Sequence, residues 1–250
     1  MHFRLKAFSL HLASSATVLA LILGILFFGW YRWPGWYLTN VTQVVLVMIC
    51  VDVVLGPTLT LIIANQKKPR RELARDIGII VALQLCALTY GSVQLWNGRP
   101  LYYVFSENSL SVVQAYDIED EEADLGRRQN VGFAPHWYSL PRWAWVPLPQ
   151  DPKERQAFIS ATGSGAAVIS MPRYYKPWEQ GLPALRDQLN KLDDSKFFSG
   201  VEKKKLKQRM LADGIATDQA DTLPFTGRTR PLLAVFNRSS VQITEMFEPK

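Results

Sequence analysis

The first hundred positions hold three long apolar runs, at about 7–30, 36–64 and 77–96, and the remaining positions alternate like an ordinary water-soluble sequence. At 1.5 Å per helical residue each run can cross a ~30 Å hydrocarbon core. The first run is too long for a signal-peptide core and ends in Leu26-Phe27-Phe28-Gly29-Trp30-Tyr31 without a small-x-small cleavage site, so it reads as an uncleaved anchor. Pro34 and Gly35 mark a tight hairpin between runs one and two. The pattern predicts three transmembrane helices in residues 1–99 and a separate domain in 100–250.

Beyond Pro100 the period changes. Residues 101–105 and 110–118 are rich in β-branched and aromatic side chains and read as strands, as do 232–236 and 241–247, with Asn237 to Ser240 as their turn. Glu119 to Asp124 reads as an acidic surface stretch, and 131–149, with three tryptophans and several prolines, as an irregular loop. Asp151-Pro152-Lys153-Glu154 carries an N-cap, a first-turn proline and a glutamate three residues on, which predicts a helix to about Thr162 ending at Gly163 and Gly165. Helices are also expected at about 180–192 and 201–213. Strands at both ends with helices between them predict an α+β domain.

Charge sharpens this division. The chain carries a net +6, yet residues 1–100 hold nine Lys/Arg against three Asp/Glu, while 101–250 hold nineteen of each. The whole excess flanks the apolar runs, which argues for membrane orientation and against a nucleic-acid surface. Arg4 and Lys6 precede the first run, and Lys67, Lys68, Arg70, Arg71 and Arg75 separate the second from the third, against Arg32 alone in the first hairpin. Positive loops stay inside, so the N-terminus is expected in the cytoplasm and the 100–250 domain on the outer side of the membrane. Trp30, Tyr31, Trp33, Trp36, Tyr37 and Trp96 would then form an outer interfacial belt. Cys50 and Cys86 fall inside apolar runs and are expected to act as small apolar side chains.

Asp52 is the most informative residue. Near the middle of the second run an ionised carboxylate costs at least ~2.5 kcal/mol, so it is expected to be protonated and bonded or to face a polar cavity. Pro57 frees the carbonyl of Val53 and favours a kink, Gly56 permits close helix approach, and Thr58 and Thr60 add hydroxyls. Counting depth from the run ends places Asp52 level with Thr89 and Tyr90, and Gln84 level with Thr58. Three roles are open for this seam: internal helix–helix bonding, contact with a partner's transmembrane helix, or proton or ion movement. A membrane peptidase needs a second acid, and none of the three runs holds one.

The 100–250 domain offers little chemistry. His136 is its only histidine, and it has no His/Cys ligand cluster, phosphate loop or nucleophile elbow. No catalytic residue, metal or cofactor is predicted. Lys203, Lys204, Lys205 and Lys207 read as a solvated helix face. Pro172-Arg173-Tyr174-Tyr175-Lys176-Pro177-Trp178 reads either as a docking strip or as a proline-bounded edge strand whose rings pack inward.

Several stretches resemble the type IV pilin accessory proteins of the TfpX/TfpZ, FimB-like group. They are Lys6 to His11, Val51-Asp52-Val53-Val54-Leu55-Gly56-Pro57-Thr58-Leu59-Thr60-Leu61, Leu83-Gln84-Leu85, Ala87 to Gly91, Gly98-Arg99-Pro100 to Phe105, Pro172 to Tyr175, and Leu223-Pro224-Phe225. Thr58 departs from the apolar residue usual after the Gly-Pro pair. The resemblance implies an inner-membrane protein, not an enzyme, that assists the major pilin in pilin stability, pilus assembly or retraction, with the pilus assembly machinery and membrane lipid as further partners. It carries no active site. With the membrane argument it favours Asp52, Gly56, Pro57, Thr58, Gln84 and Tyr90 for intramembrane packing or partner contact, and Arg99, Arg173, Tyr174 and Tyr175 for periplasmic contact. The competing readings are a membrane enzyme that modifies pilin or envelope components, and a small sensor or channel component.

Overall fold

The computed structural model describes residues 2–65, 68–162, 168–191, 200–212, 214, 220–228 and 230–248. The chain divides into two compact units: Met1–Arg32 with Val41–Arg99, and Trp33–Asn40 with Pro100–Lys250.

The first unit consists of three helices long and apolar enough to cross a membrane: α1 (His2–Gly29), α3 (Thr42–Ile63) and α4 (Arg70–Asn97). In chain order the short helix α2 (Gly35–Leu38) follows α1, and it belongs to the second unit. Leu19, Leu26, Tyr31, Val41, Met48 and Leu95 form the narrow core of the three-helix unit. Leu10, Ile25, Phe28, Val47 and Leu83 point outward and are mostly exposed. Backbones approach closely where Gly91 faces the Met48 side chain, and the Tyr31 hydroxyl donates to the carbonyl of Leu95 at 2.6 Å. Cys50 and Cys86 lie on the outward surface.

Helix α3 is not regular. Residues Cys50–Leu55 form a π-turn in which the Gly56 N–H reaches back to the carbonyl of Val51. Pro57 explains the widening, since it cannot donate to Val53 and its ring crowds that carbonyl. Wide turns of this kind are rare and tend to mark functional positions.

The second unit is a mixed α/β sheet. Its strands are β1 (Pro100–Ser106), β2 (Ser109–Gln114), β3 (Arg142–Val146), β4 (Lys176–Pro177), β5 (Asn190–Lys191), β6 (Ala220–Thr226), β7 (Leu232–Asn237) and β8 (Gln242–Phe247). They are ordered β4-β3-β1-β2-β6-β7-β8, with β5 added on β6. The β1–β3 and β2–β6 pairs are parallel and the rest antiparallel. Helices α5 (Asp120–Gln129), α6 (Pro152–Thr162), α7 (Trp178–Gln188) and α8 (Gly200–Ala212) accompany the sheet.

Both faces of β1 are covered, which explains why it reads as an unbroken apolar run. Tyr103 and Phe105 join Phe225, Leu232 and Phe236 in one core with Leu185 of α7. Tyr102 and Val104 join Ala144, Val146 and Tyr175 in a second, against Ala123 of α5 and Phe158 of α6. Leu206 and Met210 of α8 bury Leu233, Val235 and Phe247.

The second apolar helix begins at Thr42, not at Trp36. Tyr37 and Leu38 pack instead into the sheet core with Tyr103 and Phe225. The carbonyl of Leu38 accepts from the Arg228 N–H at 2.9 Å, and Gly227 lies so close to Leu38 that a Cβ there would stand 2.6 Å from its carbonyl oxygen. The segment read as an irregular loop contains β3, the acidic stretch is the first turn of α5, and β6 had no expectation at all. The second strand stops at Gln114 and continues as a 3-10 turn over Ala115–Asp117.

Other details follow expectation. Asp151 caps α6 through its Oδ1, which accepts from the N–H groups of Lys153 and Glu154 at 2.9 and 3.0 Å. Asn237 Oδ1 accepts from Ser239 and Ser240 in the β7–β8 turn. Lys204 and Lys205 are exposed on α8. The loop expected at Gly163 and Gly165 lies outside the described residues.

Candidate functional site

The polar residues of the three apolar helices converge on one cavity of about 170 Å³, lined among others by His11, Ser14, Ser15, Asp52, Gln84 and Leu88. Helix α1 contributes one wall because residues 11, 14, 15 and 18 fall at i, i+3, i+4 and i+7, a single helical face. Ser14 Oγ donates to the carbonyl of His11 at 2.9 Å. His11 Nδ1 and Thr60 Oγ1, 2.6 Å apart, share a hydrogen bond that ties α1 to α3.

Helix α3 brings Asp52 from its π-turn, and α4 brings Gln84. Asp52 is 3% exposed and Gln84 7%. Gln84 Nε2 donates to the backbone carbonyl of Asp52 at 3.1 Å, one of the carbonyls loosened by the π-turn. Asp52 Oδ2 and Gln84 Oε1 are buried without a partner among the described residues. Two unpartnered acceptors in a largely apolar surrounding favour a hydrogen-bond donor.

The cavity depends on Gly56. A Cβ at this position would lie 2.0 Å from Gln84 Nε2 and 2.2 Å from its Cδ, so only glycine lets the Gln84 amide lie flat against α3. Pro57 is buried behind it. Asp52, Gly56, Pro57 and Gln84 are therefore brought together.

Thr58 and Tyr90 are not. Both are exposed, Tyr90 at 68%. The facing pairs are Met48 with Gly91 and Gly56 with Gln84, which set Asp52 opposite Leu88 rather than Thr89 or Tyr90. Of the two threonines expected to add hydroxyls, Thr60 is buried and Thr58 is exposed. His11 is a member of the site that depth counting missed, although the 11-14-15 spacing of polar residues in an apolar run was there to be read.

The four residues expected at a periplasmic contact are mostly occupied internally. Arg99 is 6% exposed and its guanidinium lies over the Trp96 ring, with Nη1 donating to the Trp96 carbonyl at 2.6 Å. It closes the C-terminal end of α4, where a cation complements the helix dipole. Arg173 pairs with Glu122 at 3.1 Å and lies over the Tyr174 ring. Tyr174 packs on Phe158. Tyr175 is 1% exposed, its hydroxyl donates to the Ile169 carbonyl, and burial pushes its phenol well above the ordinary range. The 172–178 segment is a 3-10 turn leading into edge strand β4, with Tyr175 turned inward. Among the described residues no group of three or more His, Cys, Asp or Glu could hold a metal.

No protein-family profile matches the chain, and no solved structure matches it. Three curated relatives do, all from Dichelobacter nodosus. The fimbrial assembly protein of serogroup I is 26% identical over 196 residues, covering 77% of this chain and 74% of the relative. The fimbrial assembly protein of serogroup E1 is 25% identical over the same extent. The fimbrial assembly protein of serogroups C1 and C2 is 33% identical over 116 residues, which are 46% of this chain and 88% of that relative. With so much of a relative matched at that identity, this chain belongs to the fimbrial assembly protein family.

Proposed function

We propose that this protein is a non-enzymatic accessory factor for the major type IV pilin, of the TfpX/TfpZ, FimB-like kind, held in the bacterial inner membrane by α1, α3 and α4. The 33% identity with a fimbrial assembly protein over 88% of that relative carries the reading. In this reading the basic residues keep the N-terminus in the cytoplasm and the sheet unit works in the periplasm. Pilin waiting in the membrane presents an apolar helix and a periplasmic head, and the two units of this chain match those two environments.

The cavity around Asp52 supplies the recognition. Its two unpartnered acceptors would bond a donor on a pilin helix, and polar bonds between membrane helices are worth about 0.6–2 kcal/mol each. That is enough to select a partner while allowing its release into the fibre.

Asp52→Ala should reduce pilin co-purification and the number of pili, with the variant's own level unchanged by immunoblot. Ser14→Leu, which fills the mouth of the cavity from exposed α1 without touching the buried seam, should give the same loss. Asp52→Asn, which keeps the shape and can still accept a bond, should retain part of the function. Unchanged pili and pilin recovery in both Asp52→Ala and Ser14→Leu would reduce the cavity to an internal helix contact.

A further inference from the structure

One end of the sheet in the second unit differs from the other. Pro100 of β1 pairs with Gln114 of β2, and Tyr102 pairs in parallel with Arg142 of β3. The start of β1, the end of β2 and the segment entering β3 therefore share one end. Arg228 joins the same end: its guanidinium lies over the ring of Tyr116, just beyond β2, and its N–H bonds the carbonyl of Leu38. At this end Val131, Trp137, Tyr138 and Leu140 are 72%, 73%, 58% and 55% exposed, and Trp33 and Trp36 are 47% and 38% exposed. The opposite end carries the polar turns Glu107-Asn108 and Asn237 to Ser240.

The apolar side chains are displayed by a fixed loop. Arg142 Nη1 donates to the Gly132 carbonyl at 2.6 Å, and the Tyr102 hydroxyl donates to the Phe133 carbonyl at 2.5 Å. The His136 N–H bonds Ser139 Oγ and the Ser139 N–H returns to the His136 carbonyl, while Ala134 and Ser139 are buried. Several backbone groups of the loop are thus bonded within the unit while Trp137 and Tyr138 are exposed.

We propose that this aromatic end of the sheet unit rests in the headgroup layer of the membrane that the apolar helices cross. The inference rests on the membrane reading above and goes beyond it. Two observations select lipid as the occupant. The chain passes from α4 into β1 through Gly98 and Arg99 alone, so this end is the first part of the sheet reached after the apolar helix. Its exposed side chains include Trp, Tyr and Leu together with Arg228, the chemistry that partitions to a membrane interface. Seated in this way, the polar end around Glu107 faces away from the membrane.

The test uses the full chain, with Cys50 and Cys86 replaced by alanine, in vesicles of phosphatidylethanolamine and phosphatidylglycerol. A polarity-sensitive fluorophore is attached to Leu140→Cys, Asn108→Cys or Val47→Cys, the last on the outward surface of α3. In the vesicles the label at 140 should emit blue-shifted relative to that at 108 and be quenched by headgroup nitroxide lipid, which leaves the label at 108 unaffected, while acyl-chain nitroxide quenches the label at 47. Quenching at 47 with none at 140 would overturn the seat while leaving the membrane reading intact. Absence of quenching at 47 would overturn both. A label at 140 that stays unquenched but crosslinks to a protein in cells would make this end a protein-docking surface and defeat the lipid assignment.

Discussion

Gly56→Leu is expected to separate α3 from α4 and to empty the polar cavity. A single Cβ at position 56 already stands 2.0 Å from Gln84 Nε2, and a leucine adds three further carbons in the same direction. The Gln84 amide is the far end of a flexible side chain, so an alanine could be met by swinging it aside at the cost of its bond to the Asp52 carbonyl. Leucine leaves no room even then. Overpacking typically costs 1–3 kcal/mol, and stranding the Gln84 amide adds about 1–3 kcal/mol. The measurement is unfolding of the detergent-solubilised protein in increasing SDS. Gln84→Gly should rescue much of the Gly56→Leu defect, because it removes the atoms in the way. Independent, additive costs of the two substitutions would show that residues 56 and 84 do not share a contact.

This pairing also shows how far the sequence could be read. Asp52, Gly56 and Gln84 were legible because each is costly or conspicuous in an apolar run, whatever its neighbours. Their register was not. Counting depth from the ends of apolar runs treats those ends as level, yet α4 starts at Arg70, well before its apolar part, and α3 contains a π-turn. The resulting error of about two residues turns a helix by roughly 200°. That rotation carries a predicted facing residue such as Tyr90 to the outside and puts Leu88 in its place.

The second boundary error has a different origin. Trp36, Tyr37 and Leu38 are apolar, and hydropathy cannot tell a side chain destined for lipid from one destined for a protein core. Contacts such as the close approach of Gly227 and Leu38, about 190 positions apart in the chain, reveal that this hairpin belongs to the sheet unit. Strand β6 escaped notice for a related reason. Pro224 breaks its pattern, and Asp221 and Thr222 look exposed in the sequence. In the fold Asp221 receives Arg238 through both carboxylate oxygens, at 2.9 and 2.5 Å, and Thr222 Oγ1 donates to the Asn190 carbonyl at 3.0 Å. Tertiary partners make these polar residues acceptable in a buried strand, and no local signal announces such partners.

Tyr175→Ala decides between the two readings of the 172–178 segment. A surface contact residue can be truncated with little effect on folding, whereas a core residue cannot. The Tyr175 ring meets Tyr102 edge-on at 4.9 Å and Phe133 at 5.9 Å, and its hydroxyl bonds the Ile169 carbonyl. Removing a fully buried aromatic ring typically costs 3–5 kcal/mol, a large share of the 5–15 kcal/mol that holds most domains together. The sheet unit of the Tyr175→Ala protein should therefore unfold at markedly lower temperature and become sensitive to protease. Tyr175→Phe keeps the ring and strands one carbonyl, so its cost should stay near the 1–3 kcal/mol of a lost buried bond. Burial raises the phenols of Tyr102, Tyr103 and Tyr175. A raised folded-state pKa means that their contribution is intact below the ordinary value of about 10 and is lost as pH climbs through the folded-state values. Tyr175→Phe should accordingly soften the alkaline unfolding of the domain. If Tyr175→Ala instead leaves melting unchanged and lowers only pilin recovery, the segment is a docking strip and the inward packing of its ring is not what keeps Tyr175 there.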